Sequence, residues 1–486
     1  MSRPLSLHPP SSSLRTFLIA LSIQAALPIA SLAAQDAPGD VASQAVWSLS
    51  GDFNAILQTH GRVDAPTYID GNRAGSQDGV LSLTAARENA HSLVGGINLG
   101  RRFGDHAELW VRPELVSGIP MSNSDGLAAF TNMDMQKLMT VPPTLYTALA
   151  FVRADWELGG PSESLEAEGT RFARTLAHDR ISLQVGKLDL LGLFDDNSWA
   201  HKGPDRFTNW CFMTSCAYDF AADARGYAIG AFAEYQAGDW SLRGGRFTLP
   251  KVPNQLALDH QIFRHYGDNL ELERRFEGGA LRLLAYHNHM RLASYGGYQG
   301  LLAPIPTAAD GNDPTLPNPR VERDKYGIGL NGEYRPQAHL GVFARLMVTS
   351  ANTETNAFTE ADHSLALGAV AEGALWDRPR DNSGLGLGVN GAGGERRRYL
   401  EHWLPALLTG DGQQAVGADY YRDPWFGPTP TAAFHYGREY VLEAYYLWSW
   451  APDLQLTFDL QRIVDPGYDR DRGPVDVLSL RIHAEF

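Results

Sequence analysis

The last ten residues, Val477-Leu478-Ser479-Leu480-Arg481-Ile482-His483-Ala484-Glu485-Phe486, decide how the rest of the chain is read. Leu478, Leu480, Ile482, Ala484 and Phe486 alternate with Ser479, Arg481, His483 and Glu485 up to the terminus, so one face is apolar and the other polar. This is the period of two of a β-strand with unlike environments on its two faces. A soluble sandwich strand alternates the same way, but soluble chains seldom stop on an aromatic that completes the apolar face.

Upstream, the same period recurs. Leu454, Leu456, Phe458 and Leu460 alternate with Gln455, Thr457, Asp459 and Gln461, a run long enough to cross a bilayer as a tilted strand. Tyr440, Leu442, Ala444, Tyr446, Trp448 and Trp450 alternate with Val441, Glu443, Tyr445, Leu447 and Ser449, which sets aromatics at the level of an interfacial girdle. Further runs are 340–348, 326–334, 227–235, 181–185, 148–156, 107–115, 93–99 and 47–57. No segment sustains the 3.6-residue period of an amphipathic helix, although 124–138 has room for a short one. Small residues on polar faces, such as Gly327, Gly329 and Asn331 or Gly386, Gly388 and Asn390, suit a lumen filled with water better than a packed core. The expected fold is all-β: a transmembrane antiparallel barrel of about 16 strands, the size class that leaves a channel. The Pro- and Gly-rich stretches 296–323 and 404–437 read as outside loops.

The first 34 residues differ from the rest: Arg3 and Arg15 precede an apolar run from Phe17 to Ala30, then small residues at Ser31, Ala33 and Ala34. That is the pattern of a secretory signal peptide, cut after Ala33 or Ala34, and residues 35–486 would form the barrel domain. A net charge of −15 leaves no basic face for nucleic acid. No later stretch reaches the roughly 18 apolar residues of a membrane helix, so membrane insertion after export requires a barrel. In such barrels a terminal aromatic closes the last strand, and Phe486 is the expected handle for the barrel-assembly machinery. Cys211 and Cys216 lie five positions apart in an exported chain, a spacing that predicts a small loop disulfide.

Longer blocks carry a specific resemblance. Gly186-Lys187, Phe194-Asp195-Asp196-Asn197, His201, Phe207, Asn209-Trp210, Tyr218-Asp219, Asp223 and Arg225-Gly226-Tyr227 follow in order. Leu442-Glu443-Ala444-Tyr445-Tyr446, Asp465-Pro466-Gly467-Tyr468, Asp471-Arg472-Gly473-Pro474-Val475 and the terminal strand form a second set. Smaller matches are Glu108-Leu109-Trp110-Val111 with Pro113-Glu114, and Ala357-Phe358-Thr359-Glu360 with Asp362. Together these resemble the carbohydrate-selective porins of the OprB type over nearly the whole mature chain. The resemblance implies a sixteen-stranded outer-membrane barrel that passes sugars, glucose among them, by diffusion. The two cysteines depart from the family pattern, and Arg112 stands where a neutral residue such as Asn is expected.

A sugar pore needs groups that replace the hydration of hydroxyls without trapping the sugar. Arginine donates in a fixed fork, carboxylates accept from paired hydroxyls, and aromatic faces cover the apolar side of a pyranose. By strand parity, Trp110, Arg112 and Glu114 share a polar face, and Arg153, Arg243 and Arg345 read the same way. The competing reading is a cross-strand ion-pair lattice that stiffens the wall. The segment 194–224 interrupts the strand alternation and is the expected inward-folded constriction loop. Its Asp195, Asp196, Asn197, His201, Asn209 and Trp210 could contact sugar or pin the loop, and pinning is favoured for most of them. Lys187 has outward parity and is expected to snorkel at the membrane interface.

No catalysis, cofactor or metal is expected. Neighbouring Asp195 and Asp196 do not flank a scissile bond as glycosidase carboxylates must, there is no Gly-x-Ser-x-Gly elbow, and Asp465, Asp469 and Asp471 lack EF-hand spacing. The partners expected are mono- and small oligosaccharides and outer-membrane lipid. Porins of this size are often trimers, and a homotrimer stays open because no interface pattern stands apart from the lipid-facing one. The alternatives are a general or anion-preferring porin, and an exported soluble carbohydrate-binding β-protein.

Overall fold

The computed structural model describes residues 46–64, 83–124, 126–138, 142–201, 203–295, 320–357, 361–398, 400–401 and 434–486. The expected signal peptide, Phe358 to Glu360, and most of the two predicted loops at 296–323 and 404–437 lie outside the described residues.

Sixteen strands form one closed barrel. They are β1 (Trp47–His60), β2 (Glu88–Phe103), β3 (Ala107–Ile119), β4 (Thr144–Leu165), β5 (Arg174–Leu188), β6 (Ala228–Ala237), β7 (Trp240–Phe247) and β8 (Tyr266–Phe276). The circuit continues through β9 (Gly279–Leu292), β10 (Val321–Gln337), β11 (Leu340–Thr349), β12 (His363–Glu372), β13 (Asn382–Gly391), β14 (Glu439–Ala451), β15 (Leu454–Val464) and β16 (Val475–Glu485). Every strand pairs antiparallel with its sequence neighbours, and β1 closes the circuit on β16 with Asp52 opposite Glu485 and His60 opposite Val477. Closure leaves no unpaired edge, the condition for crossing lipid with strands. Among the described residues no helix is long and apolar enough to cross a membrane.

Alternation sets the two surfaces. Leu442, Leu460 and Leu478 lie on the outside and are about half exposed, while Glu443, Gln461 and Ser479 point inward. Trp450 stands exposed on the outer face near the β14–β15 turn, its ring 5.0 Å from that of Trp448, and the Arg378 guanidinium lies 6.0 Å from the Trp448 ring. Aromatics at this level fit a membrane interface. One end of the barrel is made of short turns, where Gly238 and Gly278 supply positive φ values of 52° and 77° between tightly connected strands. The other end carries the long connections.

The glycines on the lumen face serve a purpose other than tolerating water. A Cβ on Gly386 would stand 2.7 Å from Phe212 and 3.0 Å from Phe207, and one on Gly388 would stand 3.1 Å from Cys211. Those three residues belong to the long connection between β5 and β6, which folds into the barrel, so the glycines make room for its side chains. Between β3 and β4 the expected short helix is replaced by two 3-10 turns, Met121–Ser124 and Met135–Lys137.

Candidate functional site

Two connections fill part of the lumen. The first, 189–227, contains the segment 194–224 that was expected inside. It leaves β5 through an Asp189 side chain that accepts from the Leu191 N–H at 3.2 Å, and it then crosses to the far wall. Asp195 adopts a left-handed φ of 56°. Its N–H donates to Glu271 of β8 at 2.8 Å, and its carboxylate accepts from Thr214 Oγ1 at 3.0 Å and the Ser215 N–H at 2.5 Å. From β10, Asn331 donates to Asp195 Oδ1 at 2.9 Å and accepts from Asn197 Nδ2 at 2.7 Å. The guanidinium of Arg345, on β11, donates to the carbonyls of Phe212 at 2.5 Å and Asp195 at 2.9 Å. Further along, Asn209 caps the one-turn helix Trp210–Met213 by accepting from the Cys211 N–H at 3.0 Å, and its Nδ2 donates to Gln461 at 2.9 Å. Trp210 stacks near Phe220, with centroids 6.1 Å apart, and its N–H bonds the Phe130 carbonyl at 2.9 Å.

Asp195, Asn197, Asn209, Trp210 and Arg345 are therefore almost wholly buried and pin the loop to the wall. A buried polar group costs free energy unless it is hydrogen-bonded, and these partners meet most of that demand. Trp110 is buried as well, its ring 4.9 Å from Phe172 and its Nε1 donating to Glu108 at 2.9 Å. None of these six presents a surface to a solute.

The second inward segment, 121–138, was not anticipated. Glu439 on β14 accepts from the N–H groups of Ala128 at 2.7 Å and Ala129 at 3.0 Å, Asn54 on β1 donates to Asp134 at 2.7 Å, and Gln58 accepts from Thr131 at 2.8 Å. Lys137 donates to Glu114 at 3.0 Å, and Tyr146 and Tyr227 bond the same carboxylate. Burial disfavours the Lys137 ammonium, but the Glu114 charge outweighs it and holds Lys137 above the usual lysine range. The available signal was composition: Leu127, Ala128, Ala129, Phe130, Met133 and Met135 are too apolar for a loop in water.

What remains in contact with water is a discontinuous set of opposite charges. Arg112 forms a forked pair with Asp52 at 2.6 and 3.0 Å, the Asp52 side chain being 29% exposed. On the inward loop Asp196 is exposed, and the side chains of His201 and Asp205 are 28% and 33% exposed with Nε2 and Oδ1 3.0 Å apart. Arg206 bonds Asp205 at 2.8 Å, and Arg481 donates to the Arg206 carbonyl at 2.7 Å. Burial opposes the His201 charge, but the hydrogen bond and charge of Asp205 prevail and raise the imidazole above its ordinary value. Burial likewise pushes Asp205 up, yet His201 and Arg206 hold it well below the carboxylate range. On the wall, Arg243 bonds Glu234 at 2.8 Å and Glu271 at 2.7 Å, and Arg153 meets Glu108 at 3.2 Å. Of the residues expected to line the pore, Arg112, Arg153, Asp196, His201 and Arg243 belong to this partly wet set and Glu114 is buried beneath Lys137; Asp52, Asp205, Arg206 and Glu234 join the set and had been passed over.

Two expectations need correction. Cys211 and Cys216 are separate buried thiols, not a disulfide. The helical turn that begins at Trp210 aims Cys211 at β13, where Asn390 donates to its Sγ at 2.9 Å, while Cys216 lies 3.9 Å from the Ala128 carbonyl. Lys187 keeps its outward parity opposite Ile229, but its ammonium turns back to the wall, donating to the Thr147 carbonyl at 3.0 Å and lying 3.4 Å from Asp223.

A sixteen-stranded closed barrel with an apolar outer belt and a lumen narrowed by inward loops is an outer-membrane diffusion porin. Residues 103–486 match the family model described as carbohydrate-selective porin, OprB family, and the chain belongs to that family. None of the curated proteins matches it. The high pH structure of Pseudomonas putida OprB is similar to it at TM-score 0.61 and 16% identity, covering 90% of this chain and 94% of that one. The low pH structure of the same protein gives a TM-score of 0.43 at 11% identity, with 90% and 92% covered. OmpT of Vibrio cholerae in its trimer form gives 0.43 at 7% identity, with 90% and 99% covered. The protein is a carbohydrate-selective porin of the bacterial outer membrane.

Proposed function

We propose that the lumen passes small neutral sugars, glucose among them, along Asp52, Arg112, Asp196, His201, Asp205 and Arg206, by diffusion without energy coupling. The observation that carries this is the pairing of the arginines. Arg112 faces Asp52, Arg153 faces Glu108, Arg243 faces three glutamates and Arg345 lies against Asp195. Paired charges offer donors and acceptors side by side, which suits hydroxyls, and they offset the net positive field that an anion-selecting pore needs. That weighs against the anion-preferring alternative. Asp195 is committed to Thr214 and Ser215, which also weighs against a catalytic carboxylate pair.

The test is ion conductance of the detergent-purified protein in a planar bilayer titrated with glucose, a disaccharide and phosphate. Conductance that falls saturably with glucose and shows weak ion selectivity supports the reading; conductance indifferent to sugars but strongly anion-selective overturns it. Arg112→Ala is expected to raise the glucose concentration for half block by roughly 3- to 10-fold, the size of losing one ordinary hydrogen bond in a site open to water. Unchanged block would assign Arg112 to the wall lattice.

We also propose export through a signal peptide at 1–34, delivery to the barrel-assembly machinery through the strand ending in Phe486, and assembly as a homotrimer. Supporting the first is the Arg3 and Arg15 flank of an apolar run, and supporting the second is the exposed Phe486 ring. The third rests on barrel size alone, and the mass of the detergent-solubilised complex tests it.

A further inference from the structure

A hollow of about 590 Å³ opens on the lipid-facing side of the barrel where β14, β15, β16 and β1 meet. Strand register explains it. Ala444, Leu460, Leu478 and Thr59 stand opposite one another in one outward row across the four strands. The next outward row toward the turns is bulky throughout, with Tyr446, Phe458, Leu480 and Leu57. The small side chains of Ala444 and Thr59 at the two ends of the middle row leave the space. One row nearer the long loops the lining turns polar: Arg462 bonds Asp476 at 3.0 and 3.1 Å, and exposed Arg87 lies beside Gly61 at the head of β2. Among the described residues Arg87 has no carboxylate partner, so this edge carries one more positive than negative charge.

We propose that the hollow seats an acyl chain of a phosphorylated glycolipid of the outer leaflet, with its phosphate at Arg87 and Arg462. The apolar floor faces the bilayer, its polar edge lies at the loop end, which in such barrels is the extracellular side, and the surplus positive charge complements a phosphate. A scattered exposed leucine is ordinary on a lipid-facing wall; a hollow bounded by bulky residues below and a basic edge above selects a headgroup as well as a tail.

The test is intact-mass spectrometry of the full chain in mild detergent with purified bis-phosphorylated lipid A, alongside an uncharged diacylglycerol. Ala444→Trp fills the hollow and should cut retained lipid A at least about tenfold, while the equally outward Ala369→Trp on β12 should not change it. The paired replacement Arg87→Gln with Arg462→Gln should lower lipid A retention about fivefold and leave diacylglycerol binding as it was. A heat-dependent shift in gel mobility confirms that each variant is folded. Unchanged lipid A retention in Ala444→Trp overturns the proposal. So does equal loss of both lipids in the arginine pair, or a drop in oligomer mass with lipid retained, which would assign the hollow to a second copy. None of these readouts depends on sugar block, so the proposal and the sugar-pore reading can fail separately.

Discussion

His201 and Asp205 sit four positions apart on the inward loop, with Nε2 and Oδ1 3.0 Å apart and both side chains partly wet. Because the folded His201 is raised above its ordinary value, the imidazolium and the hold it exerts on Asp205 are present below about pH 6.5 and are lost as pH rises through the raised value. Wild-type channels should accordingly turn more cation-selective as pH climbs through that window, measured by reversal potential, and His201→Gln should flatten the change. A histidine left fully paired and silent would give identical profiles. The buried thiols make a second check. A water-soluble disulfide reagent should leave folded protein unlabelled and titrate two thiols after denaturation, whereas a Cys211–Cys216 bridge would give none until reduced.

At the level of elements, the 189–227 connection is held by carboxylates and amides on the wall that accept or donate to loop backbone. Glu271 accepts from the Asp195 N–H, Glu443 accepts from the N–H groups of Thr208 and Asn209, and Arg345 donates to the carbonyls of Phe212 and Asp195. Replacing Arg345 with Met keeps the stem but removes the donor to the Phe212 and Asp195 carbonyls and the charge facing the Asp195 carboxylate, a loss of roughly 3 kcal/mol. The barrel should survive, since the strand ladders do not use this side chain, while the loop loosens. The expected outcome is larger, noisier single-channel conductance and faster protease cleavage between 189 and 227. Unaltered conductance would mean the loop does not set the constriction. Sequence alone reached this element by its interrupted alternation and missed 121–138, where the apolar run was read as a possible helix. A buried loop and a short helix share composition, and only the wall they meet separates them.

On the scale of the whole barrel, closure is the cooperative event. Phe486 exchanges backbone hydrogen bonds with Gly51, N–H to carbonyl in both directions at 3.0 Å, and so extends the β1–β16 seam by its final rung. Deleting Phe486 removes that rung and the exposed aromatic. We expect the heat-modifiable, outer-membrane fraction to fall several-fold while unfolded chain accumulates; equal yields would show that the terminal residue is dispensable for assembly.

The linear sequence by itself determined the strands, their two faces and the closed-barrel class, because a period of two is a local property that a one-residue slip would invert. The inward loop, too, was legible as a break in that period. Only the tertiary structure decided which polar residues meet water. Arg112 and Arg345 have the same parity and chemistry in the chain, yet a folded-in loop covers one and leaves the other beside Asp52. Gly386 looked like a lining for water and proved to be a socket for Phe212. Two cysteines five apart looked bridged until a helical turn aimed Cys211 at β13 and left Cys216 against the 121–138 segment. Burial of a lumen-facing side chain depends on contacts with residues distant in the chain, such as Arg345 with Phe212 or Asn54 with Asp134, and alternation within a strand carries no record of those.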